Sequence, residues 1–179
     1  MSNNWYVITG GPSTGKTTLI EELKKLGHKT YPEAARTVID KALEKGITVE
    51  KLRSDEKNFQ DKVTKLKSKI ESDHSVDTVT FFDRGMHDTL AYFRHYGFDI
   101  EDWTKELLDN SRYKKVFLLE PLPKYKNDYA RTENKHFRKN INQLIYEAYR
   151  EYGMEPIIVP AIGLNNRVKF ITDIIDSKN

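Results

Sequence analysis

The chain has 179 residues, of which 37% are hydrophobic and 32% are charged, and this length suits one domain with a real core but is short for two. No stretch approaches the roughly 18 apolar residues that a membrane-spanning helix needs, the N-terminus lacks a signal-peptide pattern, and zero cysteines exclude a disulfide framework. The net charge of +3 is too small to indicate nucleic-acid binding by itself. We expect a cytoplasmic protein with no nucleic-acid partner and no membrane insertion.

The first half of the chain alternates short apolar runs with segments in which apolar residues recur every three or four positions. A short apolar run is typical of a buried strand, and the wider spacing is typical of an amphipathic helix. The predicted elements are a strand over 5–9, a helix ending near Gly27, a weak strand over 29–33 that Pro32 interrupts, a helix over 34–45 and one long helix over about 50–72.

The second half continues the same alternation. It predicts a strand over 78–82, helices over 86–96 and 101–110, a strand over 115–119, a helix ending at Gly153, a strand over 156–159 and a final helix from Leu164. Continuous apolar strands separated by helices are typical of parallel strands covered on both faces. The predicted fold is therefore a three-layer α/β fold with about five strands. Ligands of such sheets bind beyond the carboxyl ends of the strands, so residues directly after each strand are candidate site residues.

The segment GGPSTGKTT, residues 10–18, follows the first strand and predicts a nucleotide-phosphate site. It fits the pattern G-x-x-x-x-G-K-[ST] between a strand and a helix, which is the context that the motif requires. The glycines let the backbone turn tightly, the Lys16 ammonium would reach the β- and γ-phosphates, and the Thr17 hydroxyl would ligate Mg²⁺. The predicted cofactor-binding residues are Gly10, Gly11, Pro12, Ser13, Thr14, Gly15, Lys16, Thr17 and Thr18.

Asp83 follows the third predicted strand, and Arg84 and Gly85 come next. In a phosphate-loop protein an acid at this position can orient Mg²⁺, and a neighbouring cation can neutralise a transferring phosphoryl group. The structural alternative is that Asp83 caps the next helix and Arg84 is solvated. The strand-end position favours the functional interpretation. Asp88 either faces the same cleft or lies toward solvent.

Glu33 and Arg36 follow the second predicted strand, in PEAAR. Glu33 is a candidate base for an acceptor hydroxyl, and Arg36, one helical turn later, is a candidate to hold the acceptor or its phosphate. The alternative is a glutamate favoured by the helix dipole and an exposed ion pair. Tyr92 is a candidate to stack on a planar substrate, although core packing is the commoner role of such residues.

A basic segment at about 121–140 predicts a lid over bound phosphates. An arginine carried on a lid can stabilise charge on the phosphates when the lid closes, and Arg131 lies early enough in the segment for this role. The alternative is an ordinary solvated face. The basic residues of this segment are Lys124, Lys126, Arg131, Lys135, Arg138 and Lys139.

Several segments together resemble the NadR-like AAA domain group of P-loop proteins. They are VITGGPSTGKTTLIEEL, YPEAARTVI, FFDRGMHDTLAY, the lid-like segment, and IIVPA with NRVKFI, and they cover nearly the whole chain in order. The resemblance implies the fold of P-loop nucleoside and nucleotide kinases, with strand order 2-3-1-4-5. The group includes the ribosylnicotinamide kinase domain of NadR and proteins similar to the TRPL translocation defect protein, so it implies nucleotide binding and leaves the acceptor open.

By similarity to deoxynucleoside kinases, the same resemblance implies roles for individual residues. Glu33 matches the acceptor base, Asp83 and Arg84 match the acid-arginine pair after the third strand, and Arg131 matches the lid arginine. One P-loop domain over 1–179 is expected, with ATP and Mg²⁺ as cofactors. A homodimer that uses the helix at 50–72 is an open alternative.

Two functions remain open at this point. In the first, a small-molecule kinase binds MgATP at residues 10–18 and transfers phosphate to a nucleoside-like hydroxyl, mainly by positioning and charge neutralisation. In the second, a nucleotide-binding switch or slow ATPase or GTPase acts through a protein or lipid partner. Asn134 and Lys135 do not continue into a guanine-reading N-K-x-D motif, which favours ATP.

The residues predicted for the kinase fall into three groups. The catalytic residues are Lys16, Glu33, Asp83, Arg84 and Arg131, the substrate residues are Glu33, Arg36, Arg84, Asp88 and Tyr92, and the metal residues are Thr17 and Asp83.

Overall fold

Five parallel strands form one sheet in the computed structural model, which describes residues 3–122 and 135–177. The strands are β1 (Trp5–Thr9), β2 (Lys29–Tyr31), β3 (Thr80–Asp83), β4 (Lys115–Leu119) and β5 (Ile157–Val159). Their order is β2-β3-β1-β4-β5, and each neighbouring pair is parallel. The predicted α/β fold with strand order 2-3-1-4-5 is confirmed.

Helices cover both faces of this sheet. The described helices are α1 (Lys16–Lys25), α2 (Ala34–Leu43), α3 (Val49–Arg53), α4 (Glu56–Ser72), α5 (Asp88–Tyr96), α6 (Asp102–Asn110), α7 (Lys135–Glu151) and α8 (Leu164–Asp176). Among the described residues, none of these helices combines the length and the apolar character needed to cross a membrane.

Two cores lie on opposite faces, because successive strand residues point to opposite sides. Val7 of β1 packs with Phe82 and with residues of α5 and α7, whereas its neighbour Ile8 packs with Phe81 and with residues of α1 and α8. The three central strands, β1, β3 and β4, therefore supply apolar side chains to both layers of helices. This is why these three strands appear in the sequence as continuous apolar runs.

One predicted element is wrong. The long helix expected over about 50–72 is two helices, α3 and α4, with a break at Ser54 and Asp55. The Thr48 hydroxyl accepts from the backbone N–H of Lys51 (3.2 Å), and the Asp55 carboxylate accepts from that of Asn58 (3.1 Å). Each side chain satisfies a donor that a helix start leaves unpaired, so two capped helices replace one.

The strand register places the candidate residues at one edge of the sheet. Ile8 of β1 lies beside Asp83 of β3, and Tyr31 of β2 lies beside Phe82. The chain segments that leave β1, β2 and β3 at their carboxyl ends therefore begin close together. They carry the phosphate loop, Glu33 and Arg84 respectively.

Candidate active site

The phosphate loop joins β1 to α1 and depends on left-handed backbone at three positions. Gly10 has φ 138°, Ser13 has φ 61° and Gly15 has φ 86°. A Cβ at Gly10 would lie only 2.8 Å from the carbonyl oxygen of Leu119. Glycine is therefore required at Gly10 by space as well as by conformation.

Lys16 is folded back across this loop and is buried. Its ammonium donates to the carbonyl oxygens of Gly10 (2.9 Å) and Gly11 (2.8 Å) and to Thr14 Oγ1 (3.3 Å). Thr17, the next residue, is exposed in the first turn of α1. The loop thus combines an ammonium with the N-terminus of a ten-residue helix, and both attract phosphate. The other predicted loop residues, Pro12 and Thr18, are buried and exposed respectively.

Arg167 of α8 holds the phosphate loop from outside, and the sequence analysis did not identify it. It is 2% exposed, and its guanidinium donates to the carbonyl oxygens of Thr14 (2.5 Å), Pro160 (2.8 Å) and Glu120 (3.0 Å). Burial lowers the pKa of Arg167, and nearby Glu120 offsets part of that effect. One sequence signal was present, because Arg167 lies on the apolar stripe of its helix, three residues after Leu164.

Asn142 of α7 makes a second contact with this loop. Its side-chain oxygen accepts from the backbone N–H of Gly11, and its amide donates to the carbonyl oxygen of Leu119 at 3.2 Å. The start of the phosphate loop is therefore tied to the end of β4 through one side chain. Nothing in the local sequence around Asn142 indicates this role.

Arg84 contacts three other predicted site residues. It lies just after β3 with left-handed backbone (φ 67°) and is 7% exposed. Its Nε donates to Glu33 Oε1 at 2.7 Å, and its Nη1 donates to Asp88 Oδ1 at 3.1 Å. The guanidinium carbon lies 5.3 Å from the centroid of the Tyr92 ring, within the range of a cation–π contact.

Glu33 is an ionised carboxylate at neutral pH. Burial alone would raise its pKa, but the charges of Arg84, Lys16 and Arg36 and the Arg84 hydrogen bond outweigh burial and lower the pKa to about 2. Three cations therefore surround the predicted base. Two of them, Lys16 and Arg84, follow β1 and β3 at the same edge of the sheet. This environment suits a group that faces phosphate and acceptor.

Asp83 has the opposite electrostatic character. It is 6% exposed, and its Oδ1 has no hydrogen-bond partner among the residues that the structure describes. Burial raises its pKa to about 7, and Glu33 adds to this, while Lys16 and Arg84 oppose it. Asp83 does not cap the next helix, because α5 begins five residues later at Asp88.

A magnesium ion fits the residues around Asp83. The buried, unpartnered carboxylate oxygen is a hard ligand of the kind that Mg²⁺ prefers, and Mg²⁺ usually takes only one or two carboxylates and obtains its other ligands from phosphates and water. Within residues 3–122 and 135–177, no group of three or more histidines and carboxylates forms a complete metal site. A metal here would therefore bind together with the nucleotide.

Asp88 is fully buried and surrounded by four donors. These are Thr9 Oγ1 (2.5 Å), Arg84 Nη1 (3.1 Å), the backbone N–H of Gly85 (3.1 Å) and the Tyr149 hydroxyl (2.7 Å). Burial alone would raise its pKa, but the charges of Arg84 and Lys67 and two of these hydrogen bonds lower it. Such a saturated carboxylate is better suited to holding Arg84 in place than to contacting a substrate.

Two predicted residues are less closely tied to this cluster. Arg36 lies in the first turn of α2 and is near enough to lower the pKa of Glu33. Arg131 and most of the predicted lid, residues 123–134, lie outside the described residues. The role of Arg131 therefore stays a prediction.

Comparison with known proteins identifies one protein family and several similar folds. A family model described as an AAA domain matches residues 5–167. No curated protein sequence gives a significant match.

Three solved structures show the similarity of the fold. The NadR protein in complex with NR has a TM-score of 0.74 at 16% identity, and the match covers 99% of this chain and 53% of that chain. This chain thus spans about half the length of the NadR chain. The deoxyadenosine kinase from M. mycoides with the products dCMP and dCDP has a TM-score of 0.69 at 16% identity, covering 97% and 100%. The thymidylate kinase from Candida albicans has a TM-score of 0.68 at 14% identity, covering 98% and 92%.

Proposed function

The chain belongs to the AAA domain family whose model matches residues 5–167, and from this premise we propose that it is a small-molecule kinase. It transfers the γ-phosphate of MgATP to a hydroxyl group of a nucleoside-like acceptor. One observation carries the proposal. Arg84 lies at the same edge of the sheet as the phosphate loop, and its Nε donates to the ionised carboxylate of Glu33 at 2.7 Å. The named kinases among the similar folds support the same class of reaction.

The phosphate loop binds the nucleotide in this proposal. Phosphate oxygens replace the carbonyl groups of Gly10 and Gly11 as acceptors for the Lys16 ammonium. The exchange is favourable because an ionised acceptor makes a stronger hydrogen bond than a neutral carbonyl does. Arg167 keeps the carbonyl of Thr14 turned away from the phosphates.

The Thr17 hydroxyl and the Asp83 carboxylate would hold Mg²⁺. When bound, the metal neutralises charge on the β- and γ-phosphates. The Asp83 carboxyl has a pKa of about 7, so part of the population must lose a proton at neutral pH before this site is complete. Nucleotide binding should therefore weaken as the pH falls below about 7.

Glu33 and Arg84 perform the transfer as a pair. The acceptor oxygen forms a bond to the γ-phosphorus, the bond from that phosphorus to the bridging oxygen of ADP breaks, and the hydroxyl proton passes to Glu33. Arg84 neutralises charge on the transferring group. When the phosphate oxygens also interact with Arg84, they weaken its stabilisation of the Glu33 carboxylate, and the pKa of Glu33 rises from about 2. The base then becomes stronger when phosphate is present.

Tyr92 and Arg36 hold the acceptor in this scheme, and Arg131 supplies further positive charge from the lid. The Tyr92 ring already lies against the Arg84 guanidinium, so an acceptor that stacks on this ring would place its hydroxyl near Glu33. Planar, polar molecules such as nucleosides fit this arrangement.

The test measures ADP release from MgATP with and without a panel of nucleosides and related hydroxyl compounds. Lys16→Ala serves as the blank, because it removes the ammonium that binds the phosphates. Strong stimulation by particular compounds is expected and would identify the acceptor class. A slow rate that no compound changes would instead support a nucleotide-binding switch or slow NTPase that acts through a partner.

Glu33→Gln tests the base directly. We expect the acceptor-dependent rate to fall by at least about 100-fold, because a general base typically contributes that much, while MgATP still binds. Glu44→Gln is the matched control, since Glu44 lies at the exposed end of the same helix. Full activity of the Glu33 variant would show that another group accepts the proton.

A further inference from the structure

A buried lysine behind Arg84 has no part in the reaction described above. Lys67 of α4 is 8% exposed, and its ammonium donates to the carbonyl oxygen of Gly85 (2.9 Å) and to Thr89 Oγ1 (3.3 Å). A lysine on a helix normally extends its ammonium to water, because burying that charge is costly. The inward orientation of Lys67 therefore needs specific partners to compensate.

Gly85, the residue after Arg84, is held from several directions. The N–H of Gly85 donates to Asp88 Oδ2 (3.1 Å) and to the Tyr149 hydroxyl (3.2 Å), while its carbonyl accepts from Lys67. A Cβ at Gly85 would lie 2.6 Å from the Tyr149 hydroxyl, so the packing is also tight. Both polar groups of this residue are thus bonded to side chains distant in the sequence.

The backbone of Arg84 needs this support. Its φ of 67° is a left-handed conformation that residues with a side chain adopt only at a cost. The same conformation accompanies the bonds from Arg84 to Glu33 and Asp88. Loss of the contacts at Gly85 would let the backbone relax toward commoner conformations and would turn the guanidinium away.

We propose that Lys67 is a positioning residue that, by holding the Gly85 carbonyl, keeps Arg84 oriented toward Glu33 and the transferring phosphate. This inference rests on the proposed kinase function for its kinetic consequence. The orientation of Arg84 itself is measurable without any reaction.

Four charged groups act on Lys67. Asp88 of α5, Glu71 of α4 and Glu33 before α2 favour its charged form, whereas Arg84 opposes it. Burial is the largest effect and lowers the pKa of Lys67 to about 8, so the ammonium is charged at neutral pH. In the alternative, Lys67 acts only as a counterion for Asp88. The experiments below distinguish this role from the positioning of Arg84.

The α4 helix carries a polar row that matches this role. Its buried residues include Gln60, Thr64 and Lys67, spaced four and three apart, beside the apolar pair Phe59 and Val63. The Thr64 hydroxyl lies 3.3 Å from Thr89 Oγ1, which also accepts from Lys67. One face of α4 therefore presents polar groups to α5 at the level of the Arg84 turn, residues 84–87.

The kinetic test compares Lys67→Met with Lys69→Met, whose side chain is exposed on the same helix. Positioning predicts that kcat of the Lys67 variant falls by about 10-fold or more, because small misplacements of a catalytic group cost that much. The KM for MgATP should change less than about twofold, since the phosphate loop is intact. An unchanged kcat in a folded Lys67→Met protein would overturn the proposal.

The second test observes Arg84 by NMR and needs no activity. The side-chain Nε–H signal of Arg84 is identified by its loss in Arg84→Lys. We expect this signal to shift or broaden in Lys67→Met and to stay unchanged in Lys69→Met. An unchanged signal in Lys67→Met would mean that Lys67 is only a counterion for Asp88. If the wild-type protein shows no kinase activity, the proposed function fails, and this signal still decides the role of Lys67.

Lys67→Arg keeps the test decisive if Lys67→Met does not fold. An arginine at this position keeps a positively charged donor beside the Gly85 carbonyl, next to a cavity lined by Lys67, Ile70, Phe82 and Arg84. The proposal requires that the folded arginine variant keep the Arg84 signal and a kcat within about threefold of wild type. Loss of both in a folded Lys67→Arg protein would overturn it.

Discussion

The phosphate loop and the Arg84 turn lie at the same edge of the sheet, but different parts of the chain hold them in place. The hydrogen bonds from the Lys16 ammonium reach Gly10, Gly11 and Thr14, which are at most six residues away. Arg84 bonds to Glu33, 51 residues away. The Asp88 that supports it accepts from Thr9 and Tyr149, at separations of 79 and 61 residues.

This difference separates two ways of building a site. The loop is largely a local structure, in which glycines and one lysine within nine residues create the phosphate-binding surface. The turn depends on residues from several strands and helices, because its bonds reach Glu33, Thr9 and Tyr149. Arg167 and Asn142 are the exceptions, because they contact the phosphate loop from helices that are distant in the sequence.

The largest effect that we predict tests how tightly the turn is packed. Gly85→Ala should lower the free energy of unfolding by about 2–4 kcal/mol, because its Cβ would overlap the Tyr149 hydroxyl and the buried ring of Tyr113 and would disturb the bond to Asp88. Urea unfolding measures this. Gly163→Ala is the matched control, with open space around its Cβ, and should cost at most about 1 kcal/mol. Similar losses of unfolding free energy in the two variants would show that the Arg84 turn tolerates an added methyl group as well as the open position at Gly163 does.

The second prediction tests whether the phosphate loop keeps its shape without contacts from distant parts of the chain. Arg167→Met leaves three backbone carbonyls without their donor, so MgATP affinity should fall by about 10-fold. Calorimetry of nucleotide binding measures the loss. Arg150→Met is the control, because Arg150 is more than half exposed. Unchanged affinity in Arg167→Met would mean that the loop keeps its shape without help from α8.

The third prediction concerns Asp83, the acid between the two regions, and it is a change of stability with pH. The pKa of Asp83 is raised from 3.8 to about 7, chiefly by burial, so the folded state binds more protons than the unfolded state between these values. Wild-type stability should therefore fall as the pH rises through that window. Asp83→Asn removes this dependence and should be more stable than the wild type at pH 8 in the absence of nucleotide and metal.

The comparison for Asp83 is made by urea unfolding of the two proteins at several pH values. The difference in stability should disappear below about pH 3, where the wild-type carboxyl is protonated in both states. A constant difference across the range would mean that packing, and not ionisation, separates the two proteins.

Much of the fold was predictable because its patterns are local. The apolar runs and the helical spacing predicted the α/β class, and the strand-end rule directed attention to Glu33, Asp83 and Arg84. The strand order came from the resemblance to P-loop kinases, and the structure confirms it. The break between α3 and α4 was missed because an apolar spacing of 7, 4, 3 and 4 continues across it, although Thr48 and Asp55 are good caps.

The sequence by itself determined the sheet, its layers and the phosphate loop, since these follow from neighbouring residues and from the order of apolar runs. Only the tertiary structure decided the bond between Arg84 and Glu33, the burial of Lys67 against Gly85 and the contact of Arg167 with the loop. Those contacts join residues 18 to 153 positions apart. Their strength depends on burial, because removing water from around a charge strengthens its interactions with the partners that remain. The spacing of residues along the chain does not show which charges are buried in this way.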